Sequence, residues 1–141
     1  GICNIAIGKS ALGAATTGCV NIALGFQVLG TAALTGSHNI GLGADVMPAL
    51  TTGACNIGLG VDTLGNSTTG CFNVAIGKQA MGGANTTGNY NVAIGHQSLE
   101  LNNTGSNNIA IGSQTLEDNR GGDYNVAIGT RTLFFCKKVE V

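Results

Sequence analysis

The sequence predicts an all-β protein whose chain coils into a parallel β-solenoid. The pattern Asn-[Ile/Val]-[Ala/Gly]-[Ile/Leu]-Gly occurs eight times, and successive copies begin 17 or 18 residues apart. Large and small residues alternate within each copy, which is typical of a short strand with one buried face. A repeat of this length can close one coil, but one coil buries too little apolar surface to be stable alone. We therefore expect eight coils stacked on one another.

We number each repeat from its asparagine, which is position 0. Position 1 is Ile or Val, position 2 is Ala or Gly, position 3 is Ile or Leu, position 4 is Gly, and position 8 is Leu or Met. A further glycine precedes each following asparagine by three residues, at position −3. Glycine favours bends that need a positive φ. Each repeat thus predicts a strand, a bend, a second short strand, another bend and a polar return segment.

The aliphatic residues at positions 1 and 3 are the predicted core face of each strand. Position 2 then points outward, and its small side chains would let another copy of the chain approach closely. We therefore predict an oligomer contact stripe at position 2. This stripe consists of Ala6, Ala23, Gly41, Gly58, Ala75, Ala93, Ala110 and Ala127.

The asparagines at position 0 predict a ladder of stacked side-chain amides along the coil axis, because polar side chains in register bond to one another in stacked β structures. The polar ladder consists of Asn4, Asn21, Asn39, Asn56, Asn73, Asn91, Asn108 and Asn125.

Composition argues against nucleic-acid and membrane partners. Charged residues make up only 9% of the chain and the net charge is −1, so no basic surface for nucleic acid is expected. No apolar run approaches the roughly 18 residues of a membrane-spanning helix, and we expect no membrane insertion. The glycine-rich bends lack the Gly-Lys-Ser/Thr of a phosphate-binding loop, and we expect no cofactor.

The cysteines of the repeats predict two disulfides, Cys3 with Cys19 and Cys55 with Cys71. The members of each pair lie 16 residues apart, one residue out of phase on adjacent coils, which suits the roughly 5–6 Å between Cα atoms in a disulfide. Buried free thiols are the alternative. Cys136 stands outside the repeats and is predicted to be free or intermolecular. Disulfides favour an oxidising, extracellular location.

Other polar residues of the repeats give weaker functional signals. Asp45 with Asp62, and Glu100 with Glu117, occupy equal positions on consecutive repeats. Stacked carboxylates can serve a glycosidase or bind calcium, but no aromatic groove or Asp-rich turn accompanies them. We therefore predict neither a catalytic nor a metal site. The glycosylation sequons of the return segment make candidate acceptors of Asn66, Asn85 and Asn102.

The Asn-Val-Ala-Ile-Gly pattern of residues 91–95, with Thr-Gly upstream and Leu downstream, resembles the head repeats of trimeric autotransporter adhesins and related arrays of phage tail fibres. The resemblance covers residues 2–133. It implies a left-handed β-roll that assembles as a homotrimer. The period of 17 or 18 residues is longer than the usual period of the adhesin heads.

Residues 1–133 form the predicted repeat domain, and residues 134–141 form an apolar C-terminal tail whose last residues alternate like a strand. The tail is either a cap or a connector that pairs with the open edge of the next subunit, and we favour the connector. The predicted connection involves Ile2, Phe134, Phe135, Val139 and Val141.

We therefore expect a non-enzymatic, extracellular structural subunit of a fibre or filament. Its partners would be copies of itself, joined end to end or as a homotrimer. The main alternative is an adhesin head or tail-fibre segment that binds a cell-surface glycan or receptor. A third hypothesis is an ice-binding solenoid, although adjacent threonines such as Thr51 and Thr52 alternate faces in an extended strand.

Overall fold

The computed structural model describes residues 1–133 and the backbone of residues 135–136, and in it the chain forms a parallel β-solenoid of about seven turns. One short strand from each repeat contributes to a single parallel sheet. The described residues include no helix. The predicted all-β solenoid is confirmed. The second short strand predicted to end at position 8 of each repeat is wrong, because the chain forms a turn or bend there.

The strands follow the repeats closely. Those of the main sheet are β1 (Ile5–Ile7), β2 (Ile22–Phe26), β3 (Ile40–Ala44), β4 (Ile57–Val61), β5 (Val74–Ile76), β6 (Val92–Ile94), β7 (Ile109–Ile111) and β9 (Val126–Ile128). A second, two-stranded sheet pairs β8 (Asp118–Asn119) with β10 (Phe135–Cys136). In the main sheet each position lies beside the same position of the next repeat, as where Ala75 pairs with Ala93.

The backbone keeps the coil register beyond the last repeat pattern. Phe135 pairs with Asp118 and Cys136 with Asn119, which are positions 10 and 11 of consecutive repeats. The described part of the tail therefore continues the coil of its own chain. The connector prediction for Phe134, Val139 and Val141, and all predictions for the side chains of residues 135–136, lie outside the described residues. Ile2, at the other end, is exposed.

The prediction of which strand face is buried is wrong. The small residues at position 2 point into the coil, where Ala23, Ala75 and Ala93 are fully buried. The aliphatic residues at positions 1 and 3 point outward, and those of the first and last repeats are more than half exposed, with Ile128 at 66%. The reason is space, because a Cβ added to Gly41 would lie 2.4 Å from Cγ1 of Val28 on the facing wall.

The predicted contact stripe is therefore part of the interior. Its members Ala23, Gly41, Gly58, Ala75, Ala93, Ala110 and Ala127 are buried, and only Ala6 of the first repeat is exposed. A buried side chain cannot touch another chain, so any oligomer contact must use a different surface.

The core is built mainly from the wall opposite the main sheet. The Leu and Met residues of position 8 are fully buried from repeat 2 to repeat 7, at Leu29, Met47, Leu64, Met81, Leu99 and Leu116. The return segment also contributes one inward residue to each of these turns, which the sequence analysis missed. This contribution changes along the axis from apolar Leu34 and Leu50 to Ser67, Thr86, Asn102 and Asn119.

The corners of the coil are left-handed at three positions that hold no glycine. Residues at positions −1, 6 and 8 have φ between 49° and 63° in every described repeat. A left-handed conformation costs a residue with a Cβ roughly 1–2 kcal/mol. Leucine accepts it at position 8 because the corner aims its side chain into the core. The sequence predicted only the glycine bends, which at position 4 have φ of 123–141°.

We predict opposite effects of enlarging adjacent residues of β6. Ala93→Leu should lower the free energy of unfolding by about 1–3 kcal/mol, because it overfills the coil. Val92→Leu adds a methylene on the outer face and should change it by about 0.5 kcal/mol or less. Chemical denaturation of the two variants measures both effects. A larger loss for Val92→Leu than for Ala93→Leu would contradict the observed strand orientation.

Candidate functional site

The asparagines at position 0 form a buried hydrogen-bonded column. The side-chain Oδ1 of Asn73 accepts the backbone N–H of Asn91 at 3.0 Å, and the Nδ2 of Asn73 donates to the carbonyl of Gly88 at 3.0 Å. The same pair of bonds repeats from Asn4 to Asn108. Every amide therefore satisfies one donor and one acceptor of the next turn.

A second polar column occupies position −2, which the sequence analysis did not recognise. The backbone N–H of Cys71 donates to Oδ1 of Asn89 at 2.7 Å, and that of Asn89 donates to Oγ of Ser106 at 3.1 Å. Ser106 continues the series by donating its N–H to Oδ1 of Asp123 at 2.7 Å. The recurrence of Cys, Ser, Asn and Asp at this position was the available signal.

The repeat cysteines are free thiols, and the predicted disulfides are not formed among the described residues. Cys19 and Cys71 lie at position −2, where their sulfurs take the acceptor role. Sγ of Cys71 accepts the N–H of Ala54 at 3.3 Å, and Sγ of Cys19 accepts that of Ile2 at 3.4 Å. The sulfurs of Cys19 and Cys71 are therefore held by turn-to-turn hydrogen bonds. The side chain of Cys136 lies outside the described residues.

An outer face of aliphatic side chains runs the length of the main sheet. We define the outer face as positions 1 and 3 of all repeats, which carry no charged or polar residue. It comprises Ile5, Ile7, Ile22, Leu24, Ile40, Leu42, Ile57, Leu59, Val74, Ile76, Val92, Ile94, Ile109, Ile111, Val126 and Ile128. Side chains of the middle repeats are partly covered by their neighbours in the column, yet Leu24 and Leu42 remain exposed.

Aromatic side chains border the outer face at position −1. Phe72 and Tyr90 stack with their ring centroids 5.0 Å apart and their planes 5° from parallel. Both rings are exposed, as is Tyr124 two repeats further on. The apolar surface is therefore wider than the two aliphatic columns alone.

A side groove lies on another wall of the coil. One part, of about 460 Å³, is lined by Asp45, Asp62 and Gln79 of position 6 and by glycines of positions 9 and 10. A second part, of about 320 Å³, is lined by residues that include Asn103 and Arg120. Gly83 lines both parts, and we call the two together the side groove.

Glu100 and Glu117 lie together on consecutive turns, but outside the side groove. Burial, followed by the charge of Glu100, raises the pKa of Glu117 above its ordinary value of 4.5, against the opposing effects of Arg131, Gln114 and His96. One oxygen of Glu117, Oε2, is shielded from solvent and has no hydrogen-bond partner in the described structure. The carboxylate is thus poorly accommodated when ionised.

The three sequons differ in accessibility. Asn66 and Asn85 are exposed, whereas Asn102 is fully buried and donates from Nδ2 to the carbonyl of Gly105 at 2.9 Å. Asn102 is therefore inaccessible to a glycosyltransferase in the folded chain. The reason is that Asn102 is the inward residue of its return segment. Asn66 is exposed but its Nδ2 donates to the carbonyl of Gly82 at 3.0 Å, whereas Asn85 is exposed and only its Oδ1 is bonded, to Oγ1 of Thr68.

The fold and these surfaces define a parallel β-solenoid repeat protein. Comparison with protein-family models, curated proteins and solved structures found no match for the chain. Among the described residues there is no helix long and apolar enough to cross a membrane. Within the same residues, no three His, Cys, Asp or Glu side chains gather in a group able to hold a metal ion.

We predict that the Asn73→Ala variant is strongly destabilised. The substitution leaves the N–H of Asn91 and the carbonyl of Gly88 buried without partners, and the expected loss is about 3 kcal/mol. Asn103→Ala is the matched control, because Asn103 is exposed and its side chain makes no hydrogen bond in the described structure. Thermal unfolding compares the two variants, and equal losses would show that the ladder adds no stability.

Glu117→Gln should stabilise the protein at neutral pH. Because the folded-state pKa of Glu117 is raised, ionisation opposes folding above that pKa, and the penalty disappears as the pH falls below about 4.5. The variant should therefore unfold at higher temperature than the parent at pH 7 and at the same temperature at pH 3. A gain that is equal at both pH values would refute electrostatic destabilisation as the cause.

Proposed function

We propose that the protein is a non-enzymatic structural segment of a fibre, in which copies of the chain associate side by side through their outer faces. One observation carries the proposal: the outward side chains at positions 1 and 3 are aliphatic on every repeat. In this proposal each solenoid forms one rod of the fibre, and neighbouring rods contact one another through their outer faces.

The outer face is not required by the coil itself. Its side chains point away from the core, so polar residues at positions 1 and 3 would leave the interior unchanged. A continuous apolar surface of this kind is costly in water and is typical of an interaction site. Its restriction to one wall of the coil favours a single, defined contact.

A second copy of the chain is the partner that fits best. The outer face repeats the same two columns at about 4.8 Å per turn, so two copies that lie parallel match each other turn by turn. The chain has a net charge of −1, and copies therefore repel one another little. The face itself carries no charge that would require a complementary partner.

Side-by-side packing accounts for more of the surface than end-to-end packing. End-to-end stacking would join only terminal turns and would leave Leu24 and Leu42 in water. Side-by-side packing covers the outer face of every repeat. Three copies around one axis, as the resemblance to adhesin heads implies, would form a fibre shaft with the outer faces inside.

The test is the state of assembly of matched charge variants. Leu42→Lys/Ile94→Lys places two charges on the outer face, whereas Thr52→Lys/Thr104→Lys places two charges on exposed positions of the same two repeats. We expect the parent and the threonine variant to sediment as oligomers at micromolar concentration and the outer-face variant to sediment as a monomer with an unchanged circular dichroism spectrum. A monomeric parent, or an outer-face variant that remains oligomeric, would overturn the proposal.

A further inference from the structure

We propose that the side groove binds an extended oligosaccharide whose sugars carry hydroxyl or amino groups but no acidic groups. The groove runs from Asp45 in repeat 3 to Arg120 in repeat 7. Four turn spacings make it roughly 19 Å long. This shape suits a chain of sugar units aligned with the coil axis rather than one compact molecule.

Three glycines line the larger part of the side groove, together with Pro48 and Asn66. Gly65 and Gly82 lie at position 9 of consecutive repeats, and Gly83 follows directly. Beyond them, position 9 holds Glu100 and Glu117, which line neither part of the side groove. Repeat 5 is one of the two 18-residue repeats, so the groove lies where the coil departs from its regular length.

The walls of the side groove offer unused hydrogen-bonding groups. The side chains of Asp45, Asp62 and Gln79 make no hydrogen bond or ion pair within the described structure, although they stand on three consecutive turns. At the other end, Arg120 bonds to Asp118 through Nε, at 2.7 Å, which leaves its terminal guanidinium nitrogens available. Acceptors at one end and donors at the other match the mixed donor and acceptor character of sugar hydroxyls.

The carboxylates in the larger part of the side groove select against acidic ligands there. Asp45 and Asp62 place two carboxylates in the larger part of the groove, and no cation pairs with either among residues 1–133. An acidic sugar or a phosphate in this part would meet repulsion of about 1–4 kcal/mol for each close pair of charges. Hydroxyl groups can donate to these carboxylates, and an amino group would gain attraction as well.

An extended peptide fits the side groove less well. Peptides bind to grooves of β proteins mainly by adding a strand to a free edge. Here the backbone N–H groups of Gly83 and Ala84 already donate to the carbonyl of Glu100, both at 3.1 Å, and that of Leu101 donates to Glu117 at 2.8 Å. These backbone N–H groups are thus already hydrogen-bonded to the next turn. A ligand in the groove would therefore be bound mainly by side chains.

The groove contains no aromatic ring on which a sugar could stack, so one copy should bind weakly. Copies joined in a fibre would present several parallel grooves, and binding to a surface coated with glycan would gain from multivalency. The complete groove belongs to one chain, so specificity does not depend on the assembly proposed above. Only the apparent affinity does.

The test uses arrayed hexasaccharides of neutral hexose, N-acetylhexosamine and hexosamine, with sulfated and sialylated glycans for comparison. Gly83→Arg fills the groove; its Cβ would lie 2.7 Å from Cγ of Glu100 and 3.1 Å from Cδ2 of Leu101, so the Glu100 side chain must shift to admit it. Gly121→Arg makes the same change outside the groove, where the only close neighbour is Oγ1 of Thr104 at 3.1 Å. Asp45→Asn/Asp62→Asn removes the two carboxylates with little change in shape.

We expect the parent and Gly121→Arg to retain at least one neutral or amino hexasaccharide. Gly83→Arg and Asp45→Asn/Asp62→Asn should weaken that binding at least tenfold while circular dichroism spectra stay unchanged. Binding of acidic glycans only, no glycan binding by the parent, or equal binding by the two arginine variants would overturn the proposal. The monomeric Leu42→Lys/Ile94→Lys variant should keep the same glycan preference at a higher protein concentration, which separates this outcome from failure of the assembly.

Discussion

The buried asparagine column sets the rise and the register of the whole coil. Each side-chain amide binds the backbone of the next turn at two points, so a shift of one residue would leave two polar groups unpaired inside the protein. The column also explains the glycine at position −3. A Cβ on Gly70 would lie 2.9 Å from Nδ2 of Asn73 and 2.7 Å from the carbonyl oxygen of Gly88. Asparagine at position 0 and glycine at position −3 therefore recur together, because the hydrogen-bonded asparagine amide occupies space that a Cβ at position −3 would need.

Once the register is set, the narrow interior decides which residues are buried. Each turn encloses one Leu or Met at position 8, and the facing strand can add only Ala or Gly, as the close approach of Val28 to Gly41 shows. The strand alternates, so burial of position 2 forces positions 1 and 3 outward. The coil thus determines that these side chains face away from the core, but it does not determine their chemistry. Aliphatic residues there cover one another partly along their columns, and the side-by-side association proposed above would bury the remainder.

The sequence was sufficient for the period, the strand that begins at position 1 and the asparagine column, since each is visible as a residue recurring at a fixed interval. It did not distinguish the turn at positions 6 to 8 from a second strand. It was not sufficient for the orientation of the strands. The usual rule that larger residues face inward failed at Val92 and Ala93, because the rule ignores the volume already taken by Leu99 on the opposite wall. The left-handed backbone conformation of the leucines at position 8 could not be predicted either, because leucine rarely adopts a positive φ. For the site, the acidic pairs were recognised, but the glycines that open the groove beside Asp62 were interpreted only as bends.

The two proposed surfaces lie on different walls of the coil, and this separation matters for how they would work together. Positions 1 and 3 belong to the main sheet, whereas the groove is formed by positions 6 to 12, and the bends at positions 4 and 6 turn the chain between them. Burying the outer face between copies would therefore leave Asp62 and Arg120 in contact with solvent. The same repeat can vary in its groove residues without disturbing the aliphatic columns or the asparagine ladder. Such a division would let one rod keep the proposed assembly while the ligand of the groove changes.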